Sequence, residues 1–238
     1  MADVLLTIDT ATPAGGLALS RDGELIAELL LNTRRTHTDL LLDNIRFLLQ
    51  QSDLSLQDIA AFGVVLGPGS FTGLRVGVAT IKGLAMACQR PVVGVSSLET
   101  LALNAPASSV PICVMLDARK QEVYTCCYQW QDGWPVPLGP EQVLAPERLF
   151  AQLPGDTLFI GSGAVLYRTL IVRALGDRAH FVPWAHHQPR CSSASVLAWR
   201  EFQAHRTLPL ERLSPRYIRL SEAEIAWAKR LAEEGIEG

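Results

Sequence analysis

The sequence is poor in cysteine and has no excess of either charge. Its five cysteines are an odd number and none falls in a CxxC pair, which argues against a disulfide scaffold or a zinc knuckle. Lys and Arg total 21 against 24 Asp and Glu, and this net charge of −3 excludes a globally basic nucleic-acid binder, though not a local basic patch. No apolar run approaches the roughly 18 residues of a membrane span, and the acidic start does not resemble a signal peptide. We expect a reduced, cytoplasmic protein without a membrane segment.

What the sequence does have is the composition of a folded globular protein. Its 238 residues are 48% hydrophobic and 19% charged, which suits one large domain or two lobes with a buried core. The chain opens with β-branched and apolar runs separated by turn residues, and Asp22-Gly23 is a hairpin signal. Three antiparallel strands are therefore predicted first, at 4–8, 17–19 and 25–31.

Helices and strands then alternate, which predicts strands joined by helical crossovers. The predicted elements are a helix capped at Thr36 or Thr38 and running to 51, a strand at 61–66, a helix at about 74–89, a strand at 92–95 and a helix capped at 96–99. The second half again opens with strand, acidic turn and strand, at 111–116, 117–121 and 122–128. A Pro/Ser-rich break at 104–111 divides a first lobe, 1–104, from a smaller second lobe, 105–220. A final helix at about 221–234 is expected to pack back on the first lobe.

The densest motif is the run GPGSFTGLRVG, which spans Gly67 to Gly77. It follows a strand and precedes a helix, where anion-binding loops often lie. Its glycines do not match the dinucleotide fingerprint, and Leu74-Arg75 stands where a P-loop needs Lys-Ser/Thr. The alternative, which composition alone favours, is that Gly73 and Gly77 let the helix approach another element closely.

Two acidic turns and a glycine pair offer a second candidate site. Asp9 and Asp117 both end predicted strands, and paired carboxylates there could hold hydrated magnesium. Gly161 and Gly163 follow a strand at 158–160 and could approach a nucleotide. Turn capping by aspartate and a plain glycine turn are the common alternatives.

The sequence gives less support for a hydrolase active site or a metal site. No G-x-S-x-G elbow occurs, and His37 has no nucleophile that can be assigned to it. His186, His187 and Cys191 lack a standard metal-ligand spacing, so a solvated loop is expected there.

Four segments together resemble the bacterial TsaB family, also called YeaZ. They are IDTATPAGGLAL at the start, the GPGSFTGLRVG loop, VVGVSSLETLA and the tail SPRYIRLSEAE, which cover nearly the whole chain in the family's order. The motif residues of the loop are Gly67, Pro68, Gly69, Ser70, Phe71, Thr72 and Arg75. The resemblance implies an α/β fold of mixed sheets with helices, the two-lobed actin-like, Hsp70-like ATPase (ASKHA) fold.

The resemblance also implies a role in making threonylcarbamoyladenosine in tRNA. In this family's pathway the paralogue TsaD transfers threonylcarbamoyl from its adenylate to the adenosine 3′ to the anticodon, in tRNAs that read codons starting with A. The chain is then expected to be a non-catalytic scaffold that binds TsaD and TsaE and meets tRNA only through the complex. No cofactor is required, and weak ATP or ADP binding at the complex interface is the only nucleotide role. An ATPase or kinase of the same fold, or a peptidase acting on TsaD, are the alternatives.

Departures from the catalytic relatives favour the non-catalytic role. TsaD holds a metal through two His at HxxxH spacing, whereas here Leu41 stands four positions after His37. The second acidic turn has Ala118-Arg119-Lys120 in place of glycines, so close backbone approach of a phosphate is disfavoured. The nucleotide site is therefore predicted to be vestigial, with the residues Asp9, Thr10, Asp117, Gly161 and Gly163.

A partner surface is the remaining expectation. The family's first two helices, here about 37–51 and 71–89, are implied to pack against the equivalent helices of TsaD, and the same face could serve a homodimer when TsaD is missing. The predicted interface residues are Leu41, Ile45, Leu48, Gly73, Gly77, Val78, Ile81 and Ala85. The alternative is that half of them face their own sheet.

Overall fold

The computed structural model describes residues 2–32 and 37–219, and for residues 37–39 the backbone alone. The helix predicted at 221–234 lies outside these residues. Eleven strands occur in the described part: β1 Val4–Asp9, β2 Ala14–Arg21, β3 Glu24–Asn32, β4 Ile59–Gly67, β5 Val92–Ser96, β6 Ile112–Asp117, β7 Val123–Gln131, β8 Trp134–Pro137, β9 Gln142–Leu144, β10 Thr157–Ile160 and β11 Ala179–Phe181. The α-helices described are α1 His37–Gln51, α2 Phe71–Cys88, α3 Ser97–Leu103, α4 Pro146–Phe150, α5 Ser162–Leu166, α6 Arg168–Leu175 and α7 Cys191–Gln203.

The first sheet has five strands in the order β3-β2-β1-β4-β5. β1, β2 and β3 are antiparallel, as predicted, and the hairpin turn at Asp22-Gly23 has both residues at positive φ. β4 and β5 run parallel to β1, which the intervening helices make possible. β2 begins at Ala14, inside the segment predicted as a turn, because Gly15 and Gly16 pair with β3.

The second sheet has the order β11-β10-β6-β7-β8, with β9 also paired to β7. β6 and β7 are antiparallel and are joined at an acidic turn, while β10 and β11 lie parallel to β6. The strand, acidic turn and strand pattern at the start of each sheet is thereby confirmed.

Each sheet is covered partly by a helix from the other half of the chain. α1 and α2 cover one face of the first sheet, and α7 covers its other face, where Leu197 and Ala198 pack against Ala61 and Val93. α3, by contrast, contributes Leu98 to the core of the second sheet. The division of the chain into two lobes at residue 104 stays a prediction. α3, which precedes this position, packs on the second sheet, and α7, which follows it, packs on the first.

α2 begins earlier than predicted and is the longest apolar helix. It starts at Phe71 because the Ser70 hydroxyl accepts a hydrogen bond from Gly73 N at 3.3 Å, which caps the helix. By length and composition alone α2 could cross a membrane, contrary to the sequence-based expectation. Its buried residues, among them Ile81 and Ala85, pack in the core of the first sheet, as those of a core helix do.

Candidate functional site

The two segments that carry the family motifs, 67–77 and 215–219, lie together in space. β4 ends at Gly67, which has φ 112° and precedes a cis peptide bond to Pro68. Arg216 N donates a hydrogen bond to Leu66 O at 2.8 Å, so the tail runs alongside the end of β4. An added Cβ on Gly67 would lie 3.1 Å from Arg216 O, and this close approach adds to the positive φ in favouring glycine.

An aromatic and cationic cluster fastens this contact. The rings of Phe71 and Tyr217 stack with centroids 4.2 Å apart and planes 14° from parallel. The Arg75 guanidinium carbon lies 4.3 Å from the Phe71 ring centroid, and Arg75 Nε donates to the Tyr217 hydroxyl at 3.0 Å. Phe71 and Arg75 are thus held by the tail, so their place in the motif has a structural reason.

Residues 214–219, which we call the crossing segment, connect the two lobes. After its contact with β4, the segment pairs Arg216 with Glu141, which precedes β9. Its last described residue, Arg219, donates to Ala118 O at 2.6 Å and pairs with Glu122. One short segment therefore bridges from the first sheet to the acidic hairpin of the second.

The crossing segment borders a cavity of about 500 Å³ between the lobes. Its lining residues are Ser96, Glu99, Cys126, Tyr128, Pro137, Gly139, Glu141, Arg216 and Ile218. Both carboxylates in it have an arginine partner, Glu99 with Arg200 and Glu141 with Arg216. Burial raises the pKa of Tyr128 well above its ordinary value, so that side chain stays protonated. The charges that line the cavity are therefore paired within the chain.

The first acidic turn is tightly covered by α2. Asp9 is buried and accepts a hydrogen bond from Ala11 N at 2.8 Å. An added Cβ would lie 2.1 Å from Thr10 O at Gly73 and 2.3 Å from Thr10 Oγ1 at Gly77. The glycines of the motif therefore let the helix approach this turn, as the alternative interpretation predicted.

The second acidic turn is closed by its own side chains and by the tail. Asp117 accepts from Arg119 N at 2.8 Å, and its other carboxylate oxygen lies 3.3 Å from the Arg119 guanidinium. Arg119, Lys120 and Gln121 all have positive φ between 52° and 61° without being glycine. Arg219 then bonds to Ala118 O, so the turn is bounded on that side as well.

The glycine pair after β10 also serves internal packing. Gly161 has φ 105°, and an added Cβ there would lie 2.3 Å from Met115 O; at Gly163 the same distance would be 3.0 Å. Gly161 N donates to His187 Nδ1 at 3.2 Å. Each of the five residues predicted for the nucleotide site thus makes packing contacts or hydrogen bonds within the chain, and the vestigial nucleotide site stays a prediction.

His187 is a residue that the sequence analysis misplaced. It was expected in a solvated loop, but it is buried beside Gly161, and His186 bonds to Asn104 O at 2.8 Å. Burial lowers the pKa of His187, and the Gly161 N–H bond requires an unprotonated Nδ1. Nothing in the local sequence separates such a histidine from an exposed one.

We expect this histidine to make the fold less stable in mild acid. The unfolded chain takes up a proton near the ordinary pKa of 6.5, while the folded chain resists it, so stability is lost as the pH falls below that value. Urea midpoints at about pH 7.5 and about pH 5.5 should differ less in His187→Gln than in the wild type. The exposed His180, changed to Gln, is the control. An unchanged pH dependence in His187→Gln would contradict the assignment.

The predicted partner residues require a correction. Six of them are buried in the hydrophobic core between the first sheet and its helices α1 and α2: Leu41, Ile45, Leu48, Val78, Ile81 and Ala85. The other two, Gly73 and Gly77, are buried against the turn at Thr10. These eight positions were assigned to a surface because an apolar stripe does not reveal what covers it. The exposed apolar side chains on the same helices are Leu42, Phe47 and Met86, with exposed fractions of 63%, 51% and 69%.

No metal centre is found in the part of the chain that the structure describes. Among residues 2–32 and 37–219, no three His, Cys, Asp or Glu side chains are placed to hold an ion. The side chain of His37 is not among those described, so the comparison of His37 and Leu41 with a metal-binding pair stays a prediction from sequence.

The two mixed sheets, each opening with an acidic hairpin and bridged by exchanged helices, define the actin-like, Hsp70-like class of ATPase folds. A family model described as TsaD, tRNA N6-adenosine threonylcarbamoyltransferase, matches residues 24–227. The TsaB proteins of Bacillus subtilis and Escherichia coli, named for tRNA threonylcarbamoyladenosine biosynthesis, are 34% and 33% identical over 94% of this chain and 97% of their own length. The chain therefore belongs to the TsaB (YeaZ) family.

Solved structures agree with this assignment. YeaZ from Pseudomonas aeruginosa has a TM-score of 0.76 at 31% identity, and the match covers 90% of this chain and 99% of that one. A second Pseudomonas aeruginosa structure, described as similar to peptidase YEAZ, has a TM-score of 0.80 at 32% identity and covers 91% of this chain and all of that one. The fold described here thus has relatives of known structure over about nine tenths of the chain.

Proposed function

We propose that this chain is a non-catalytic subunit for threonylcarbamoyladenosine biosynthesis in tRNA. It acts with TsaD and TsaE when threonylcarbamoyl passes from its adenylate to the adenosine 3′ to the anticodon, in tRNAs that read codons starting with A. The observation that carries the proposal is the exposed stripe of Ala79, Gly83 and Met86 on α2, with the exposed apolar side chains Leu42 and Phe47 on the neighbouring α1, since these residues can contact a partner.

The exposed face has the chemistry of a helix-packing surface. Leu42, Phe47 and Met86 are large apolar side chains exposed to solvent on two neighbouring helices, and each is available for contact with a partner. On α2, Ala79 and Gly83 recur with Met86 at helical spacing on the exposed side. An added Cβ at Gly83 would meet nothing within 4 Å, so a partner helix can approach closely there. TsaD occupies this face in the complex, and a second copy of the chain occupies it when TsaD is absent.

The acidic turns support the non-catalytic half of the proposal. α2 fills the space beside Thr10, and Arg119 and Arg219 occupy the surroundings of the second turn. Bound phosphates would have to displace these contacts, so the isolated chain has little or no ATP turnover. Any weak ATP or ADP binding belongs to the complex interface.

The arginines of the tail support contact with tRNA only through the complex. Arg216 and Arg219 lie close together in the sequence and could form a local basic patch, but both are paired with carboxylates of the second lobe. Arginines already paired in this way are poor sources of counterion-releasing phosphate contacts. Arg34 and Arg35 lie outside the described residues. The assembly works in the cytoplasm, where its tRNA substrates are.

The alternative functions lack a corresponding observation. A kinase or ATPase of this fold needs an open phosphate cradle, and a peptidase needs a base beside a nucleophile. Of the four histidines whose side chains are described, His205 is exposed, His180 contacts Asp156, and His186 and His187 bond to backbone groups. The last three therefore do not stand as general bases beside a serine or cysteine.

Reconstitution tests the proposal directly. Modification of tRNA should require this chain together with TsaD, TsaE and the adenylate-forming enzyme, and should be lost when the chain is left out. The purified chain alone should release no phosphate from ATP above a buffer control. Full modification without the chain, or brisk ATP hydrolysis by the chain alone, would overturn the proposal.

A further inference from the structure

Two of the five cysteines lie directly opposite each other in the second sheet. Cys113 of β6 and Cys127 of β7 are register partners in the antiparallel pair. All five cysteines fall within the described residues, and in the described strands no other two of them are register partners. This pairing carries no role in the function proposed above.

The hydrogen-bond pattern shows which kind of antiparallel pair the two cysteines form. Ala118 N donates to Glu122 O at 3.0 Å where the hairpin closes, and hydrogen-bonded pairs alternate along the ladder from there. Counting back in this register makes Cys113 and Cys127 a non-hydrogen-bonded pair. In agreement, Cys127 O accepts from Leu138 N at 2.8 Å, on the side away from β6. Pairs of this kind have Cα atoms about 4.5 Å apart, within the roughly 4.4–6.8 Å that a disulfide spans.

The two thiols share one face of the sheet but differ in access. Cys113 is fully buried in the core that holds Phe159 and Leu149, and Cys127 packs against that core while remaining partly exposed. Cys127 also lines an apolar cavity of about 250 Å³. A small neutral oxidant can therefore reach Cys127, whereas Cys113 is fully buried and adjoins Cys127 across the strand pair.

We propose that Cys113 and Cys127 form a peroxide-oxidisable dithiol, a reversible modification site within the second lobe. The Cys127 thiolate attacks one oxygen of hydrogen peroxide, the O–O bond breaks, and hydroxide leaves with Cys127 oxidised to a sulfenic acid. The Cys113 sulfur then attacks that sulfur, the S–O bond breaks, and a disulfide forms. In sum two thiols lose two electrons and two protons, and one hydrogen peroxide is reduced to two waters.

The protonation of the two thiols favours this order of attack. The hydrogen bond from the Cys113 thiol lowers the pKa of Cys127, and the same bond together with burial raises the pKa of Cys113. The accessible sulfur is thus the one more readily deprotonated. The neighbouring Cys126 is the natural control, because its register partner is Val114 and burial raises its pKa to about 11.

Peptide mapping of the full chain tests the proposal. The purified protein is treated with hydrogen peroxide while folded, blocked with iodoacetamide under denaturing conditions, digested and analysed by mass spectrometry. We expect a cross-linked peptide pair containing Cys113 and Cys127, lighter than the two free peptides by two hydrogen atoms and separated by dithiothreitol. Cys127→Ser should abolish the cross-link, and Cys126→Ser should leave its yield unchanged within twofold.

Three results would overturn the assignment, and the wild-type experiment alone can give each of them. The first is that Cys127 is recovered as sulfinic acid while Cys113 remains fully alkylated. The second is a cross-link that joins Cys126 instead. The third is that both thiols stay free at peroxide doses that fully oxidise a dithiothreitol standard. None of these outcomes depends on whether the chain binds TsaD.

Discussion

Met86→Glu and Phe47→Glu should each weaken the complex with TsaD by about 100-fold or more, because each places a charge in an apolar helix interface. Both side chains are exposed in the chain by itself, so the substitutions leave its core unchanged. Isothermal calorimetry with purified TsaD measures the affinity, and circular dichroism checks that each variant is folded. Val172→Glu is the matched control, since Val172 is 47% exposed on α6 of the second lobe.

Self-association should weaken in parallel if one face serves both assemblies. Sedimentation of the isolated chain over a range of concentrations should show the Met86→Glu variant as a monomer where the wild type dimerises. A variant that loses TsaD binding but keeps the wild-type dimer would separate the two surfaces. If both variants bound TsaD with wild-type affinity, the proposal that α1 and α2 form the interface would be wrong. The buried Ile45 and Val78 are unsuitable for this test, because a charge there would unfold the first core.

Much of the fold was predictable because local signals decide it. The opening hairpins, the helix α1 and the alternation of β4, α2, β5 and α3 follow from periodicity and turn chemistry, which depend on neighbouring residues. Residue spacing placed the start of α2 three residues late, because a cap at Ser70 was treated as part of a glycine loop, whereas the family resemblance placed the start at 71. Boundaries of this kind depend on one side-chain hydrogen bond, which spacing alone does not reveal.

The site was less predictable because its contacts join distant parts of the chain. The stack of Phe71 on Tyr217 and the bond from Arg219 to Ala118 O link residues about a hundred positions apart or more. The amphipathic pattern of α1 correctly marked Leu41 and Ile45 as apolar-face residues, but it could not say whether a sheet or a partner covers them. The acidic turns at Asp9 and Asp117 likewise gave no sign that α2 covers the first and the tail contacts the second.

The largest effect on stability is expected when the glycines of α2 are replaced by alanine. The three glycines of this helix differ in how much space lies around them. A methyl group at Gly73 would lie 2.1 Å from the backbone oxygen of Thr10, and one at Gly77 would lie 2.3 Å from the Thr10 hydroxyl. At Gly83 it would meet nothing within 4 Å. The backbone at Thr10 cannot turn away, because Asp9 and Ala11 are buried on either side, whereas a hydroxyl can rotate.

Gly73→Ala should therefore destabilise the chain most, by about 3 kcal/mol, because helix and turn must separate. Gly77→Ala should cost less than this, and Gly83→Ala should stabilise by up to about 1 kcal/mol, since alanine is the better helix former. Urea unfolding of the three variants at several protein concentrations separates folding from self-association. If Gly73→Ala and Gly83→Ala were equally stable, the motif glycines would not be needed for contact with the turn. Their presence would then require a ligand or partner that approaches the helix at Gly73, and the nucleotide role set aside above would have to be reconsidered.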